Sequence, residues 1–166
     1  SKSNTKILIL GYGRHGKDTV AEIIAKTYGL RFTSSSLFCA EHVMMPHFGD
    51  RYTTVQSCFD DRHNCRQSWY EAIRNFNRPD ATALGRAIFE DHDVYCGLRS
   101  SAEFYALKNT GIFDIAVWVD RSNHLQPEDP SSCTIRPWMA DYVIDNNGSF
   151  TDLNFNVIQL MEGLLS

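Results

Sequence analysis

Residues 7–19 read Ile7-Leu8-Ile9-Leu10-Gly11-Tyr12-Gly13-Arg14-His15-Gly16-Lys17-Asp18-Thr19, an apolar run of strand length that meets a glycine-rich turn. Val20 to Tyr28 follow with helical spacing. Read as G-x-x-x-x-G-K, Gly11 and Gly16 bracket a loop whose backbone N–H groups cradle phosphate at a helix N-terminus, and Lys17 reaches the transferred phosphate. The same residues also match G-x-G-x-x-G through Gly11, Gly13 and Gly16, the turn of a dinucleotide-binding unit. Such a unit calls for a carboxylate about 20 positions on to hold a ribose. Here that place reads Leu30-Arg31-Phe32-Thr33-Ser34-Ser35-Ser36, without one. Lys17, directly after the last glycine, has a role on a β/γ-phosphate and none in the dinucleotide turn. A mononucleotide phosphate loop, or P-loop, is therefore preferred over the dinucleotide turn and over a glycine turn with no ligand.

The motif asks for Ser or Thr after the lysine to ligate Mg²⁺, and this chain has Asp18, with Thr19 one step later. A carboxylate in the first helical turn is favoured by the helix dipole and can hold the metal directly or through water. As a plain first-turn cap it needs no metal.

Composition narrows the class. A chain of 166 residues fits one domain, taken as 1–166, long enough for one sizeable core. With 43% hydrophobic and 22% charged residues it is ordinary globular material. No apolar run approaches the roughly 20 residues of a membrane span, and Ser1-Lys2-Ser3-Asn4-Thr5-Lys6 lacks the apolar core of a signal peptide. The expectation is a cytoplasmic protein, in the host cytoplasm if viral, with no membrane partner. Cys39, Cys58, Cys65, Cys96 and Cys133 are odd in number and never spaced as C-x-x-C, so reduced thiols are the default. The formal charge of −4 speaks against a general nucleic-acid binder. Eleven arginines beside five lysines agree with recognition of an anionic substrate.

In chain order, Lys6 to Leu10 reads as a buried strand and Lys17 to Tyr28 as the first helix, ended by Gly29. Leu30 to Thr33 is a short strand. Ser34, Ser35 and Ser36 form a loop that either caps the next helix, about Leu37 to Met45 and stopped by Pro46, or holds substrate. Residues 48–77 are polar, aromatic and charge-dense. Within them Cys65, Trp69, Ile73 and Phe76 recur at spacings of four, four and three, the buried stripe of an amphipathic helix whose other face carries Arg62, Arg66 and Glu71. Exposed charges are often merely solvated, but together the cluster is the candidate platform for an acceptor substrate. Another helix opens at Arg78-Pro79-Asp80. Strands follow at Asp93 to Gly97, Phe113 to Asp120 and Asp141 to Asp145, with helices at Ala102 to Asn109 and from Phe150 onward. Arg121 to Pro137, with three prolines, reads as a short flap. Strands alternating with helices predict an α/β fold, a five-stranded parallel sheet with helices on both faces. Ligands in such sheets sit beyond the carboxyl ends of the strands, which converges Gly11, Ser34, Arg99, Asp120 and Asn146 on one cleft.

Gly-Lys-Asp-Thr at 16 to 19, the Gly97-Leu98-Arg99 step with Glu103 after it, and Ala140-Asp141-Tyr142-Val143-Ile144-Asp145-Asn146-Asn147-Gly148-Ser149 resemble phage deoxynucleoside monophosphate kinases. These belong with the P-loop kinases that include thymidylate and dephospho-CoA kinases. The resemblance spans nearly the whole chain and implies a compact kinase using ATP and Mg²⁺. It implies ATP phosphates on Gly13, Arg14, His15, Gly16, Lys17, Asp18 and Thr19, with Lys17 on the γ-phosphate. It further implies Arg99 near the transferred group, Arg121 beside the adenine, and Asn146 to Gly148 around the base. Many relatives carry Asp where this chain has Gly97, which leaves Asp18 or Asp120 to organise the metal.

Two acceptors are expected. Some short phage relatives that this chain resembles act on the 5-hydroxymethyl group of hydroxymethyldeoxyuridine within DNA, a step in thymine hypermodification. A short flap leaves the cleft open to a polymer, Trp69 and Tyr70 offer stacking surfaces, and Asp61 offers a base for the hydroxyl proton. This is the leading expectation. The other is a free dNMP, whose phosphate is already nucleophilic and asks for an arginine clamp by Arg62 and Arg66. A P-loop module that binds nucleotide without transfer is a third reading, and a homodimer is left open.

Overall fold

The computed structural model describes residues 5–165; Ser1–Asn4, which belong to the stretch read as lacking a leader, and Ser166 lie outside them. Five strands form one sheet: β1 (Ile7–Leu10), β2 (Phe32–Ser34), β3 (Val94–Cys96), β4 (Ile115–Asp120) and β5 (Tyr142–Asp145). All neighbouring pairs are parallel and the order is β2-β3-β1-β4-β5. The chain therefore leaves β1 toward one edge, returns to fill the gap with β3, and then crosses to the other side. A sheet with that reversal places its ligand crevice at the carboxyl end of the central strand, and here that end runs straight into Gly11.

All four residues of β1 are fully buried because the strand is covered on both faces. The two-residue period of a strand divides them: Ile7 and Ile9 point to one core, Leu8 and Leu10 to the other. Helices α1 (Lys17–Tyr28) and α8 (Phe150–Leu165) cover the first face with Val20, Ala21, Ile24, Leu153, Val157 and Met161. On the opposite face lie α2 (Ser35–Cys39), α4 (Val55–Asp60), α5 (Arg66–Phe76), α6 (Ala83–Asp91) and α7 (Ser101–Thr110). Among the described residues no helix is long and apolar enough to cross a membrane.

Two helix boundaries depart from expectation for identifiable reasons. Pro46 does not stop the second helix at Met45. The helix widens into a π-helical turn over Ala40–Met44, where the Met45 N–H reaches the Ala40 carbonyl, and then runs on as α3 (Met45–His47). A proline ring collides with the carbonyl four residues back, and the wider turn gives it room. Helix α6 starts later than Arg78, at Ala83, because the Asp80 carboxylate accepts both the N–H and the hydroxyl of Thr82 and holds residues 80–82 in a turn.

Candidate functional site

The loop after β1 takes its shape from two glycines. Gly11 has φ 149°, and a Cβ there would lie 2.9 Å from the Val119 carbonyl oxygen. Gly16 has φ 103°, and a Cβ there would run into the side-chain amide of Asn146. Both positions combine left-handed backbone with close approach, so only glycine fits. Gly16 is the N-cap of α1, with no side chain to cap the first turn, so the N–H groups of Lys17, Asp18 and Thr19 precede the first intrahelical bond, Val20 N–H to the Gly16 carbonyl.

Lys17 folds back over the loop, donating to the carbonyls of Gly11 at 2.9 Å and Tyr12 at 3.1 Å. Burial, and secondly the Arg99 guanidinium, lower its pKa; Glu128 and Asp18 act in the opposite sense. Tyr12 stands edge-on to Trp118, with ring centres 5.0 Å apart, and to His15 at 5.6 Å, so the loop is tied to the core by an aromatic side chain rather than hanging free.

His15, though polar, is fully buried. Its Nδ1 accepts the Arg121 N–H at 3.0 Å, which leaves Nε2 as the protonated nitrogen, 3.3 Å from the Gln126 carbonyl. Both nitrogens are thus spent on fastening the phosphate loop to the segment after β4. The Asn146 amide donates to the His15 carbonyl at 2.9 Å, and Arg121 Nη1 donates to the Asn146 carbonyl at 2.6 Å. The structure therefore brings together Gly16, His15, Arg121 and Asn146, four of the residues assigned to ATP, on the β4–β5 side of the loop. Gly148 sits one step further, where its missing Cβ leaves space for the Asp152 carboxylate that caps α8 through the Ser149 N–H.

Asp18 and Asp120, the two metal candidates, belong to different neighbourhoods. Asp18 Oδ1 lies 3.6 Å from the Cys96 thiol at the end of β3. Asp120 accepts from the Ser122 N–H and the Asn147 amide at the end of β4. Its pKa is lowered by those hydrogen bonds, which outweigh the opposing effect of partial burial. Among the described residues no three His, Cys, Asp or Glu side chains converge into a cation site. A Mg²⁺ ion here would take most of its oxygens from phosphate and water, with Asp18 or Asp120 as a protein ligand.

The stretch read as a short flap, Arg121 to Pro137, is strapped down at both ends. After the His15 contact at Gln126, Cys133 and Ile135 are buried in the core, Thr134 N–H bonds the Arg99 carbonyl at 2.9 Å, and Arg136 bonds the carbonyls of Cys133 and Ile135. Between the straps Glu128 reaches into the phosphate loop. One carboxylate oxygen accepts the Gly13 N–H and the other pairs with Arg99 Nη1. A carboxylate thus already holds one amide of the loop and the Arg99 guanidinium, donors of the kind that also bind phosphate oxygens. Nothing local in Pro127-Glu128-Asp129-Pro130 marks this residue in the sequence.

On the acceptor side the serines have structural partners. Ser34 Oγ accepts from Leu37 N–H and caps α2, Ser35 donates to the Gly97 carbonyl, and Ser36 follows inside the helix with partial exposure. Trp69 and Tyr70 do not form one stacking platform. Adjacent on α5, they point apart, Trp69 into the core at 5% exposure and Tyr70 outward at 62%. Asp61 is held by Tyr52 Oη at 2.6 Å and Asn64 Nδ2 at 2.7 Å. Those hydrogen bonds lower its pKa, and the Tyr52 hydroxyl is pushed up to about 12. A carboxylate stabilised in this way is a weak proton acceptor. Arg62 lies over the Phe59 ring at 3.9 Å and donates to the Phe59 carbonyl. Arg66 and Glu71 are exposed, with Glu71 accepting from Gln67.

No protein-family model matches the sequence, and no curated protein matches it. Solved structures do match. Shikimate kinase from Bacteroides thetaiotaomicron superposes with a TM-score of 0.53 at 15% identity, over 98% of this chain and 99% of that one. A gluconokinase from Sinorhizobium meliloti 1021 gives 0.48 at 18% identity, over 99% of this chain and 98% of that one. At such identity the first of these likenesses speaks to architecture alone. Together with the all-parallel five-stranded sheet and the glycine loop at the end of its central strand, it establishes that this chain has the fold of the P-loop kinases.

Proposed function

We propose that the protein is an ATP-dependent phosphotransferase acting on a deoxynucleotide, with the 5-hydroxymethyl group of hydroxymethyldeoxyuridine in DNA as its acceptor. The kinase part is carried by one observation, the preformed anion seat in which Gly13 N–H and the Arg99 guanidinium hold a carboxylate beside Lys17. Bound ATP would supply the phosphoryl group, with Mg²⁺ offsetting its charge. The chain's own residues position and neutralise: the amides of the loop hold the phosphate tail, Lys17 turns from its loop carbonyls to the transferring group, and Arg99 stabilises the charge that spreads over it. The proton of the acceptor hydroxyl leaves late, to a phosphoryl oxygen or water, as the O–P bond forms and the bond to ADP breaks.

A polymeric acceptor is supported by the exposed face of α5. Arg66, Tyr70 and Arg74 are all exposed and recur every fourth residue, about 6 Å apart along the helix axis. None of them takes part in an ion pair among the described residues. Two unpaired guanidinium groups flanking an aromatic ring suit a phosphate backbone and a stacked base. A second reading, a kinase for free dNMP, is favoured by the burial of Trp69 and the stabilised Asp61 carboxylate. A phosphate acceptor needs neither a base sandwich nor a proton acceptor.

Radiolabelled ATP offered with hydroxymethyluracil-containing DNA and, separately, with the four dNMPs distinguishes the readings. Label in the DNA is expected. Label only in dNDP supports the second reading, and nucleotide binding without transfer to either removes both.

A further inference from the structure

Glu128 has no part in the sequence-based assignment of the site, yet it makes the most pointed contact in it. It stands on the six residues, 127–132, between the Gln126 and Cys133 anchors, with Pro127 and Pro130 stiffening the span. Its side chain is only 20% exposed. Its two oxygens are used by two donors of the phosphate site, the Gly13 N–H and Arg99. A Cβ built on Gly13 would come within 3.1 Å of Glu128 Oε1, so the carboxylate lies directly over the loop backbone.

Resting on the nucleotide-phosphate reading of the loop, we infer that Glu128 is an internal stand-in for a nucleotide phosphate, a gate that must leave the seat before ATP or ADP can enter it. Two anions do not share one cradle, so the nucleotide and Glu128 compete for the same N–H and the same guanidinium. The hydrogen bonds are charge-assisted on the Arg99 side and fix that side chain within the site. Once displaced, Glu128 hands over a guanidinium already in position. The observed affinity for nucleotide is the intrinsic affinity reduced by the fraction of molecules whose seat is empty. The span is short and its ends are anchored by His15 and by buried Cys133, so opening is a local swing of residues 127–132.

The experiment measures binding, by calorimetry, of ADP and of inorganic tripolyphosphate to wild type, Glu128→Gln, Glu128→Ala and Asp129→Asn. Asp129 is the neighbouring carboxylate, but its partner is Ser131 and it does not reach the loop. Both Glu128 variants should bind both probes at least 5-fold more tightly, by similar factors, while Asp129→Asn stays within 2-fold of wild type. Unchanged or weaker binding in the Glu128 variants overturns the gate. So does an equal gain in Asp129→Asn, which would mean a general charge effect, and so does a gain for ADP that tripolyphosphate does not share. If wild type binds ADP and the variants gain nothing, the gate alone is lost. If no form binds either probe, the phosphate-loop reading goes with it. Thermal melts of each variant confirm that the comparison is between folded proteins, and Glu128→Gln, which keeps the side-chain volume, covers the case in which Glu128→Ala fails to fold.

Discussion

Asn146 and Gly16 are locked together: the Asn146 side-chain amide donates to the His15 carbonyl at 2.9 Å and occupies the space where a Cβ on Gly16 would stand. A residue at the end of β5 thereby closes the back of a loop 130 positions earlier in the chain. Gly16→Ala should push this amide away and also force φ 103° on a residue with a side chain. Left-handed strain alone costs on the order of 2 kcal/mol. Urea denaturation should show at least that loss, and ADP binding should fall with it. A variant as stable as wild type would mean that the loop and Asn146 are not packed as described.

Lys17→Ala should lower kcat by on the order of 10² or more, the cost of losing one transition-state charge contact. Its loop carbonyl partners, Gly11 and Tyr12, are backbone groups that water can satisfy, so the melting temperature should move little. Transfer activity near wild type would exclude the role assigned to Lys17.

Glu103 supplies a pH test away from the cradle. Burial raises its carboxyl from 4.5 to about 7, against the opposing hydrogen bonds from Asn77 and Tyr95. The folded state then binds the proton more tightly than the unfolded chain. This group's stabilisation is complete below about pH 4.5 and is lost as pH rises through about 7. Glu103→Gln keeps an oxygen for Asn77 and Tyr95 and removes the titration. At pH 8 it should gain roughly 1–3 kcal/mol relative to wild type, and at pH 5 much less. Parallel stability curves for the two proteins between pH 5 and 8 would contradict the raised carboxyl.

The neighbours Trp69 and Tyr70 should separate fold from substrate. Trp69→Ala empties a site in the core and should cost about 3–5 kcal/mol, the usual range for a buried tryptophan. Tyr70→Ala should leave stability within about 0.5 kcal/mol, as for an exposed position. On the DNA-acceptor reading it raises KM for DNA severalfold without changing KM for ATP. An unchanged KM for DNA would remove α5 from the acceptor surface.

Much of this could be read from local chemistry. The strand-turn-helix from Ile7 to Tyr28 was legible because its signals are short-range: an apolar run, glycines at two of the three places where φ is positive (Arg14 is the third), and a lysine at the helix start. The alternation of strands and helices was legible for the same reason, since periods of 2 and 3.6 are written into neighbouring residues. Even the inward face of α5 was visible in the spacing of Cys65, Trp69, Ile73 and Phe76, although the same stretch also offered Trp69 as a stacking ring.

What lay beyond the sequence depended on residues far apart in the chain. The order β2-β3-β1-β4-β5, which sets Arg99 on one side of the phosphate loop and Asn146 on the other, comes from packing both faces of β1 and from no nearby signal. The roles of His15, a fastener satisfied at both nitrogens, and of Asp61, a carboxylate already satisfied by its neighbours, follow from partners that only folding supplies. Glu128 is the clearest case. By itself it is one acid in a proline-rich flap, and its meaning arises because the fold carries it across 115 residues to the Gly13 amide, where charge and geometry choose between a side chain and a phosphate.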